Sequence, residues 1–404
     1  MDFDMLEDLL QNEQTPPTDI KVVGVGGAGG NAVNRMIASG LKKVTFVAMN
    51  TDIQALQRSN AHIRLPLGKQ LTGGLGAGGV PEVGEKAAQE SKEEIKKLLT
   101  GTDMVFITAG MGGGTGTGGA SVIAEVARET NALTVAVVTT PFAFEGKKKL
   151  QLALAGIEKL RKHVDTLILI PNQYLLKVVE NNTPIKKAFL LADDVLRQGV
   201  QGISELITEP GEINIDFADV RTVMKGKGDA LMGIGIGEGT NRAVDAARSA
   251  INNPLLENAT IDGAKSVLVN LAGGDGLTLQ EYQDVVELIT ENCADDALII
   301  AGQAYNPELG DKIKVTVVAT GFAAKDEDYA EQEGAFLQRK RRMEGPAFAQ
   351  HEPNRRSEER SDDQDIITVN RWQDLQQQLG NRQQSNDYSF PAVLRYQREE
   401  EEDS

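Results

Sequence analysis

The sequence predicts an α/β protein with a doubly wound, parallel β-sheet, followed by a smaller α/β unit. Short apolar runs alternate with helical patterns, glycine-rich loops join runs to helices, and one long helical pattern separates the two halves. Strands of a parallel sheet are buried on both faces, so they form continuous apolar runs. The N-terminal half contains five such runs: IKVVGV, VTFVAMN, MVFITA, LTVAVVT and TLILIP.

Helical patterns occupy the places that this fold requires. SVIAEVARET and KKKLQLALAGIEKLRKH lie between strand-like runs, as βαβ units demand. IKKAFLLADDVLRQGVQGISELIT then predicts a long central helix, ended by Pro210 and Gly211. Beyond it, SVLVNLAG, DALIIAGQ and KIKVTVVATG predict the strands of the smaller unit.

The composition limits the classes of function. The chain has 404 residues, 40% hydrophobic and 4% aromatic, which is enough for two domains with aliphatic cores. A formal net charge of −17 argues against nucleic acid as a main partner, because phosphate backbones require basic surfaces. The single cysteine, Cys293, and the scattered His62, His163 and His351 argue against a disulfide framework and a cysteine or histidine metal centre.

The first glycine-rich loop, VVGVGGAGGNAV, has the spacing Gly24-x-Gly26-x-x-Gly29 between a strand and a helix. This spacing is the dinucleotide-binding fingerprint, and Asp52 lies about where a ribose-binding acid falls. The signal is weak, because glycine is common in such turns. A nicotinamide-dependent dehydrogenase is therefore one hypothesis, although nothing in the sequence supplies its proton relay.

A second loop, GMGGGTGTGG over residues 110–119, favours a nucleoside triphosphate instead. Loops at the carboxyl ends of neighbouring parallel strands face one crevice, where backbone N–H groups and helix N-termini bind anions. A third glycine-rich segment, TGGLGAGGVPEVG, is expected to close over the same place. The pattern G-x-x-x-x-G-K-[ST] is absent, so the chain is not a P-loop NTPase.

These segments resemble the tubulin/FtsZ family of GTPases over roughly residues 20–321. The resemblance implies a tubulin-like fold and GTP-dependent assembly into head-to-tail filaments of the bacterial cell-division ring. A structural relative that does not hydrolyse GTP is a further alternative, which the acids of NIDFADVR disfavour. The matching motifs, in order, are GVGGAGGNAVN, NTDIQAL, GLGAGGVPEVG, AGMGGGTGTGG, PFAFEGKKK, IPNQYLL, NIDFADVR and KVTVVATGF.

The domain boundaries follow from these patterns and from a polar composition after Phe322. Such a segment has too little apolar surface to offset the entropy of ordering it. We expect a flexible leader over 1–18, a nucleotide-binding GTPase domain over 19–184, a central helix over 185–209, a C-terminal α/β domain over 210–321, a disordered linker over 322–386, and a partner-binding peptide with an acidic tail over 387–404.

The resemblance implies that the nucleotide is GTP or GDP with Mg²⁺, and it leaves a monovalent cation open as a further cofactor. No side chain is assigned as a metal ligand. Ala77 and Gly78 are expected near the γ-phosphate. The other residues expected at the phosphates are Gly27, Ala28, Gly29, Gly30, Asn31, Gly114, Thr115, Gly116 and Thr117.

The resemblance also assigns the nucleoside contacts. Glu145 is expected at the ribose, Asn172 and Asp193 at the guanine edge, and Phe189 in a stack with the base. Lys149 stands where the family usually has arginine, and a lysine lacks the planar fork of that side chain. Two alternatives stay open: Glu145 is a solvated acid paired with Lys147 or Lys148, and Asp193 and Asp194 are solvated helix acids.

The candidate for activating water lies in GEINIDFADVR, which contains Asn214, Asp216 and Asp219. Asp216 is expected to cap a helix that has Asp219 in its first turn, and capping alone is the alternative to catalysis. The predicted central helix spans roughly 35 Å at 1.5 Å per residue, which separates these acids from the base-binding residues. By the resemblance, they act on the GTP of a neighbouring subunit.

The terminal island DYSFPAVLRYQ resembles the C-terminal peptide of the family, and residues 387–396 are expected to bind division proteins and membrane tethers. The acidic ending REEEEDS argues against direct adhesion to anionic lipid. No apolar stretch reaches the ~20 residues of a transmembrane helix, and MDFDMLEDLL is unlike a signal peptide. We expect a cytoplasmic protein, without membrane insertion, at the mid-cell division site.

Overall fold

The structure is a computed structural model that describes residues 18–322, except 177–182, 209–210, 254–260, 262 and 292. The predictions for the leader over residues 1–17, the linker and the C-terminal peptide lie outside the described residues.

The described residues form ten strands that join in one sheet. Their order across the sheet is β3-β2-β1-β4-β5-β6-β7-β10-β8-β9. The strands are β1 (Ile20–Val25), β2 (Thr45–Asn50), β3 (Ile63–Pro66), β4 (Met104–Gly110), β5 (Leu133–Thr140), β6 (Thr166–Pro171), β7 (Gly228–Gly237), β8 (Ser266–Gly273), β9 (Leu298–Tyr305) and β10 (Ile313–Thr320).

Strands β1 to β6 are all parallel, and the chain reverses its direction of travel across the sheet between β1 and β4. This confirms the predicted doubly wound sheet. In such sheets the crevice beside the reversal point is where ligands bind, at the carboxyl ends of the strands. The fold therefore places the loops after β1, β4 and β5 around one opening.

Twelve α-helices are assigned within the described ranges. The predicted central helix is confirmed and is the longest of them, with 24 residues. The helices are α1 (Gly26–Ala38), α2 (Ile53–Gln57), α3 (Lys69–Thr72), α4 (Pro81–Glu90), α5 (Lys92–Leu99), α6 (Thr115–Glu129), α7 (Lys147–Arg161), α8 (Asn172–Leu175), α9 (Ile185–Thr208), α10 (Phe217–Met224), α11 (Arg242–Ile251) and α12 (Leu279–Thr290).

Successive residues of a strand face opposite layers of helices, as the pleat requires. Val22 packs with α1 and the central helix α9, whereas the next residue, Val23, packs with α6 and α7. A third cluster joins α11 and α12 to β8 and β10. The parallel sheet is thus buried on both faces, which explains the unbroken apolar runs of the sequence.

The C-terminal strands continue the same sheet. Strand β7 pairs in parallel with β6, and β10 pairs antiparallel with both β7 and β8. The sequence analysis did not predict β7, because glycines interrupt its apolar pattern. Gly235 is required there by close packing, since a Cβ atom would lie 2.0 Å from the carbonyl oxygen of Ala246 on α11.

An ion pair fixes the start of α11 against α12. Arg242 Nε lies 2.6 Å from Glu281 Oε1, and Glu281 Oε2 also accepts a hydrogen bond from the backbone N–H of Thr278, which caps α12. The hydrogen bond from Arg242 is the largest influence on the Glu281 carboxyl. Although burial opposes it, the pKa of Glu281 falls from 4.5 to about 2.

We predict that Glu281→Gln lowers the free energy of unfolding at neutral pH by on the order of 2 kcal/mol, because Arg242 loses its charged partner. The folded-state pKa lies below the unfolded value, so the carboxylate stabilises the fold above pH 4.5. This contribution is lost as the pH falls towards 2. Urea denaturation of both proteins should therefore show a stability difference that shrinks between pH 4.5 and 2.

Glu287→Gln, which changes an exposed glutamate of the same helix, is the control and should alter stability little. A wild-type-to-Glu281→Gln difference that stays constant over this pH range would contradict the assigned ion pair.

Candidate functional site

A cleft of about 280 Å³ opens at the carboxyl edge of the parallel strands. The loops after β1, β4 and β5 form one side, and the first turns of α9 form the other. Ten predicted residues line it: Gly27, Ala28, Gly114, Thr115, Gly116, Glu145, Lys149, Asn172, Phe189 and Asp193.

Two helix N-termini face this cleft without side-chain caps. Helix α1 follows Val25 and helix α6 follows Gly114, and neither of these residues donates or accepts a capping hydrogen bond through its side chain. Neither helix has an acidic residue in its first turn. Their free backbone N–H groups and their positive dipole ends therefore favour an anion at this place.

The two glycine loops touch through their backbones. Gly26 has φ +71°, and a Cβ atom there would lie 2.9 Å from the amide nitrogen of Gly116. Any other residue at Gly26 would thus be strained and would also push the loops apart. Gly26 and Gly116 thus allow the backbones of the two loops to approach each other closely.

Hydroxyl groups hold the loops in place. Thr51 Oγ1 and Thr115 Oγ1 lie 2.6 Å apart and share a hydrogen bond. Thr117 accepts a hydrogen bond of 2.8 Å from the backbone N–H of Gly112. Thr117 is buried and does not line the cleft, so its hydroxyl stabilises the loop conformation from the side that faces away from the cleft.

Five other residues predicted at the phosphates lie beside the cleft rather than on its wall: Gly29, Gly30, Asn31, Ala77 and Gly78. Gly30 and Asn31 line a second cavity of about 140 Å³, which shares Gly27 with the cleft. A Cβ atom on Gly29 would lie 2.3 Å from the carbonyl oxygen of Thr108, so Gly29 allows α1 to pack against β4. Ala77 packs against Gly114 from the third glycine-rich segment.

Gly78 follows Ala77 in a left-handed conformation with φ +58°. Ala28, in contrast, is not among the described residues with positive φ, so an alanine is tolerated in the first loop.

Glu145 and Lys149 form one pair at the rim of the cleft. Lys149 Nζ lies 3.1 Å from Glu145 Oε2, and Glu145 Oε1 accepts a hydrogen bond from the backbone N–H of Phe142. The partner of Glu145 is therefore Lys149, not Lys147 or Lys148. Lys149 is half exposed, and such pairs are worth little in water, so a ligand is able to separate them at small cost.

The far end of the cleft combines an amide with an aromatic cluster. Asn172 is buried, and its Oδ1 atom has no hydrogen-bond partner among the described residues. An unpaired buried acceptor is costly, which indicates that a ligand supplies the missing donor. Phe189 remains 39% exposed beside Phe142, with ring centroids 5.3 Å apart in an edge-to-face contact.

Asp193 lies on the same wall and is bound by Arg35, which sequence reasoning missed. Arg35 Nε lies 3.0 Å from Asp193 Oδ2. Burial raises the pKa of Asp193 above its usual value, and the hydrogen bond and charge of Arg35 offset only part of this effect. Arg35 stands nine residues after Gly26 on α1, but nothing in the sequence indicates a contact across 158 positions.

The neighbouring Asp194 has a different environment. Its carboxylate accepts hydrogen bonds from Arg197 and Gln198, at 2.7 and 2.6 Å, and it does not line the cleft. Burial acts to raise the pKa of Asp194, but the hydrogen bond and charge of Arg197, the hydrogen bond of Gln198 and the charge of Arg35 together outweigh burial and lower it. Asp194 is thus a helix acid that is paired within its own helix, whereas Asp193 lines the cleft.

The acidic loop lies at the other edge of the sheet. Asp216 Oδ1 accepts a hydrogen bond of 2.8 Å from the backbone N–H of Asp219, which is the expected cap of α10. Asn214 Oδ1 accepts from the backbone N–H of Gly211. None of these three side chains lines the cleft.

Two contacts fix α10 at the amino ends of the parallel strands. Arg221 donates a hydrogen bond to the carbonyl oxygen of Asn131, immediately before β5. Thr166, the first residue of β6, donates to the carbonyl oxygen of Met224. Because the cleft lies at the carboxyl ends of these strands, the acids and the cleft occupy opposite edges of one sheet.

The described part of the chain contains no group of three or more His, Cys, Asp or Glu side chains that could hold a metal ion. A Mg²⁺ ion in the cleft would therefore depend on ligand phosphate oxygens, which is a common arrangement for this ion. No helix within the described ranges combines the length and apolar character needed to cross a membrane.

Comparison with known proteins identifies the family. Residues 19–180 match the Tubulin/FtsZ family, GTPase domain, and residues 228–323 match the FtsZ family, C-terminal domain. An empty FtsZ dimer from M. jannaschii is 46% identical, with a TM-score of 0.74 over 80% of this chain and 93% of that chain.

Two more distant structures share the fold. GDP-bound monomeric CetZ1 from Haloferax volcanii has 21% identity and a TM-score of 0.67, and covers 80% of this chain and 100% of that one. A GTPγS-bound protofilament of CetZ2 from the same organism has 18% identity and a TM-score of 0.62 at the same coverage.

The family match decides between the two hypotheses for the glycine loops, since it assigns them to a GTPase domain and not to a dehydrogenase. The chain therefore belongs to the tubulin/FtsZ family of GTPases, which bind GTP and GDP.

Proposed function

We propose that this chain is a self-assembling GTPase whose active site is shared between two subunits stacked head to tail. The observation that carries the proposal is the separation of the cleft from Asp216 and Asp219 by the length of the parallel strands. The acids of one molecule reach a nucleotide only in the cleft of another. The FtsZ dimer and the CetZ2 protofilament support self-association in this family.

In the proposed complex, the uncapped N-termini of α1 and α6 bind the phosphates through Gly27, Ala28 and the Gly114–Thr117 segment. Ala77 and Gly78 approach the γ-phosphate from the third loop, and Gly29, Gly30 and Asn31 support the first loop. A Mg²⁺ ion bound with the nucleotide would supply positive charge against the charge that develops on the phosphates. A monovalent cation is a further candidate cofactor.

The nucleoside occupies the other end of the cleft. Glu145 accepts hydrogen bonds from the ribose hydroxyls, and Lys149 turns to the nucleotide. Asp193 accepts from N1–H and the 2-amino group of guanine, a donor pair that adenine lacks. Asn172 contributes its unpaired amide oxygen, and Phe189 stacks on the base.

Hydrolysis then requires the next subunit. Asp216 and Asp219 of that subunit orient and polarise the attacking water, with Asn214 in support. The cleft of one molecule and the acidic loop of the next are different surfaces, so the contact between them is head-to-tail. The molecule at each end of a chain then still has one of these surfaces free, and repeated contacts of this kind generate open filaments. We propose that these filaments form the scaffold of a bacterial cell-division ring in the cytoplasm at mid-cell.

We predict that Asp193→Asn weakens GDP binding by about ten- to a hundredfold. One of the two carboxylate oxygens that accept hydrogen bonds from guanine is replaced by an amide NH₂ group, which donates instead. The amide should favour xanthosine diphosphate instead, which has an acceptor at position 2. Isothermal titration calorimetry with both nucleotides measures the change.

Asp194→Asn is the matched control, since its side chain points to Arg197 and Gln198. It should keep the preference for GDP. Retention of that preference by Asp193→Asn would show that another group reads the base.

We predict that Asp219→Ala binds GTP with unchanged affinity but hydrolyses it at least a hundredfold more slowly, the usual loss when a group that handles the attacking water is removed. Its filaments should persist longer in a sedimentation assay, since GTP remains bound. Phosphate release at fixed protein concentration gives the rate.

Asp284→Ala, which removes an acid on α12 that accepts a hydrogen bond from Gln280, should hydrolyse GTP at the wild-type rate. If Asp219→Ala turned over normally, the acidic loop would serve only as a helix cap.

We predict that deletion of residues 387–404 leaves GTP hydrolysis unchanged and abolishes binding to division proteins and membrane tethers. The apolar island at 387–396 is expected to supply the contacts. Pull-down with the intact protein as reference measures the loss.

Deletion of the acidic end alone, residues 397–404, is the control and should preserve partner binding. Equal recruitment by the intact chain and the 387–404 deletion would refute a docking role for this peptide.

A further inference from the structure

The residues proposed to contact the base are Asn172, Phe189 and Asp193. Among the described residues, Arg35 is the one cationic side chain that bonds to any of them. It reaches Asp193 from α1, the helix whose N-terminus faces the phosphate end. Within the described residues, Arg35 is the only hydrogen-bond donor to Asp193, and Asp193 is the only acceptor of Arg35. Their side chains are 32% and 16% exposed, so the pair is largely shielded from water.

We propose that Arg35 is a positioning residue that sets the preference of this site for guanine, by holding the Asp193 carboxylate in one orientation. The inference rests on the proposed base-reading role of Asp193. Arg35 itself does not line the cleft, so it acts through Asp193 rather than on the nucleotide.

The geometry explains how one bond fixes the carboxylate. Arg35 Nε donates a hydrogen bond to Asp193 Oδ2, while Asp193 Oδ1 has no protein partner in the described part of the chain. A carboxylate has about four acceptor positions, so Oδ1 and the remaining position on Oδ2 stay open to a pair of donors. This charge-assisted hydrogen bond favours the conformers of Asp193 that keep Oδ2 at Arg35 Nε, and it therefore limits rotation of the carboxylate.

The charge of Arg35 also matters, because Asp193 is partly buried. Burial favours the protonated carboxyl, and Arg35 counters it. Among the described residues, two other charged groups line the cleft, Glu145 and Lys149, and these bind each other. Asp194, which follows Asp193 on α9, binds Arg197. Without Arg35, Asp193 would protonate more readily and present an O–H donor to the N1–H donor of guanine.

The test compares binding of GDP and inosine diphosphate, which lacks the 2-amino group, by titration calorimetry at pH 8 and pH 5.5. Arg35→Gln should weaken GDP binding about tenfold at pH 8. It should also lower the ratio of the affinity for GDP to the affinity for inosine diphosphate, which we call the GDP-over-inosine ratio. The loss of GDP affinity should be larger at pH 5.5 than at pH 8, because burial raises the pKa of Asp193 and the variant lacks the Arg35 charge that counters this effect. Arg35→Lys keeps the charge without the planar fork and should restore part of the ratio.

A double variant tests whether Arg35 acts through Asp193. Arg35→Gln combined with Asp193→Asn should bind GDP no more weakly than Asp193→Asn alone. Arg161→Gln is the matched control, because Arg161 Nε also lies 3.0 Å from a carboxylate, Asp229, and its side chain is 30% exposed. It should leave the ratio unchanged.

An unchanged GDP-over-inosine ratio in a folded Arg35→Gln protein overturns the proposal, as do additive losses in the double variant. Should Arg35→Gln fail to fold, Arg35→Lys decides: a lowered ratio supports the proposal and a wild-type ratio refutes it. If the wild-type protein itself does not prefer GDP to ADP, the proposed function fails instead.

Discussion

The parallel sheet has two edges, and it holds the anion-binding backbone at one and the acidic loop at the other. Helices α1 and α6 begin at the carboxyl edge, where their free N–H groups meet. Helix α10 is bonded to the amino edge through Thr166 and Arg221. Buried strands on which helices pack from both sides do not allow these two edges to approach each other. The proposed chemistry therefore needs a second molecule, so GTP would be hydrolysed only between assembled subunits.

The cleft also shows how a strongly acidic protein binds a phosphate ligand. Among the residues that the structure describes, Lys149 is the only cationic side chain on its wall, and that ammonium is paired with Glu145. In the proposed complex, the attraction for the ligand comes instead from backbone N–H groups at two helix ends, which glycine allows to lie close together. A net charge of −17 is compatible with this arrangement, because peptide dipoles are oriented locally and do not depend on the overall balance of charged side chains.

Much of this architecture was readable from local patterns. Apolar runs marked β1, β2, β4, β5 and β6, and the helical period marked α9 over Ile185–Thr208, because each signal comes from neighbouring residues. Strand β7 could not be predicted in this way, since Gly235 and Gly237 interrupt its apolar pattern and allow the close approach of α11. The pair Arg35–Asp193 was equally hidden, because only the folded chain brings α1 to α9. Likewise, spacing alone did not separate Gly27, which lines the cleft, from Gly29, which packs against β4.

A shared active site is tested most directly by mixing two inactive proteins. Asp219→Ala retains the cleft but lacks the acid, and Asp193→Asn retains the acid but binds GTP poorly. In a mixed filament, the acids of the second protein face GTP held by the first. The account predicts that an equimolar mixture hydrolyses GTP well above the summed rates of the separate proteins. A mixture whose rate equals that sum would contradict the claim that one molecule completes the site of its neighbour.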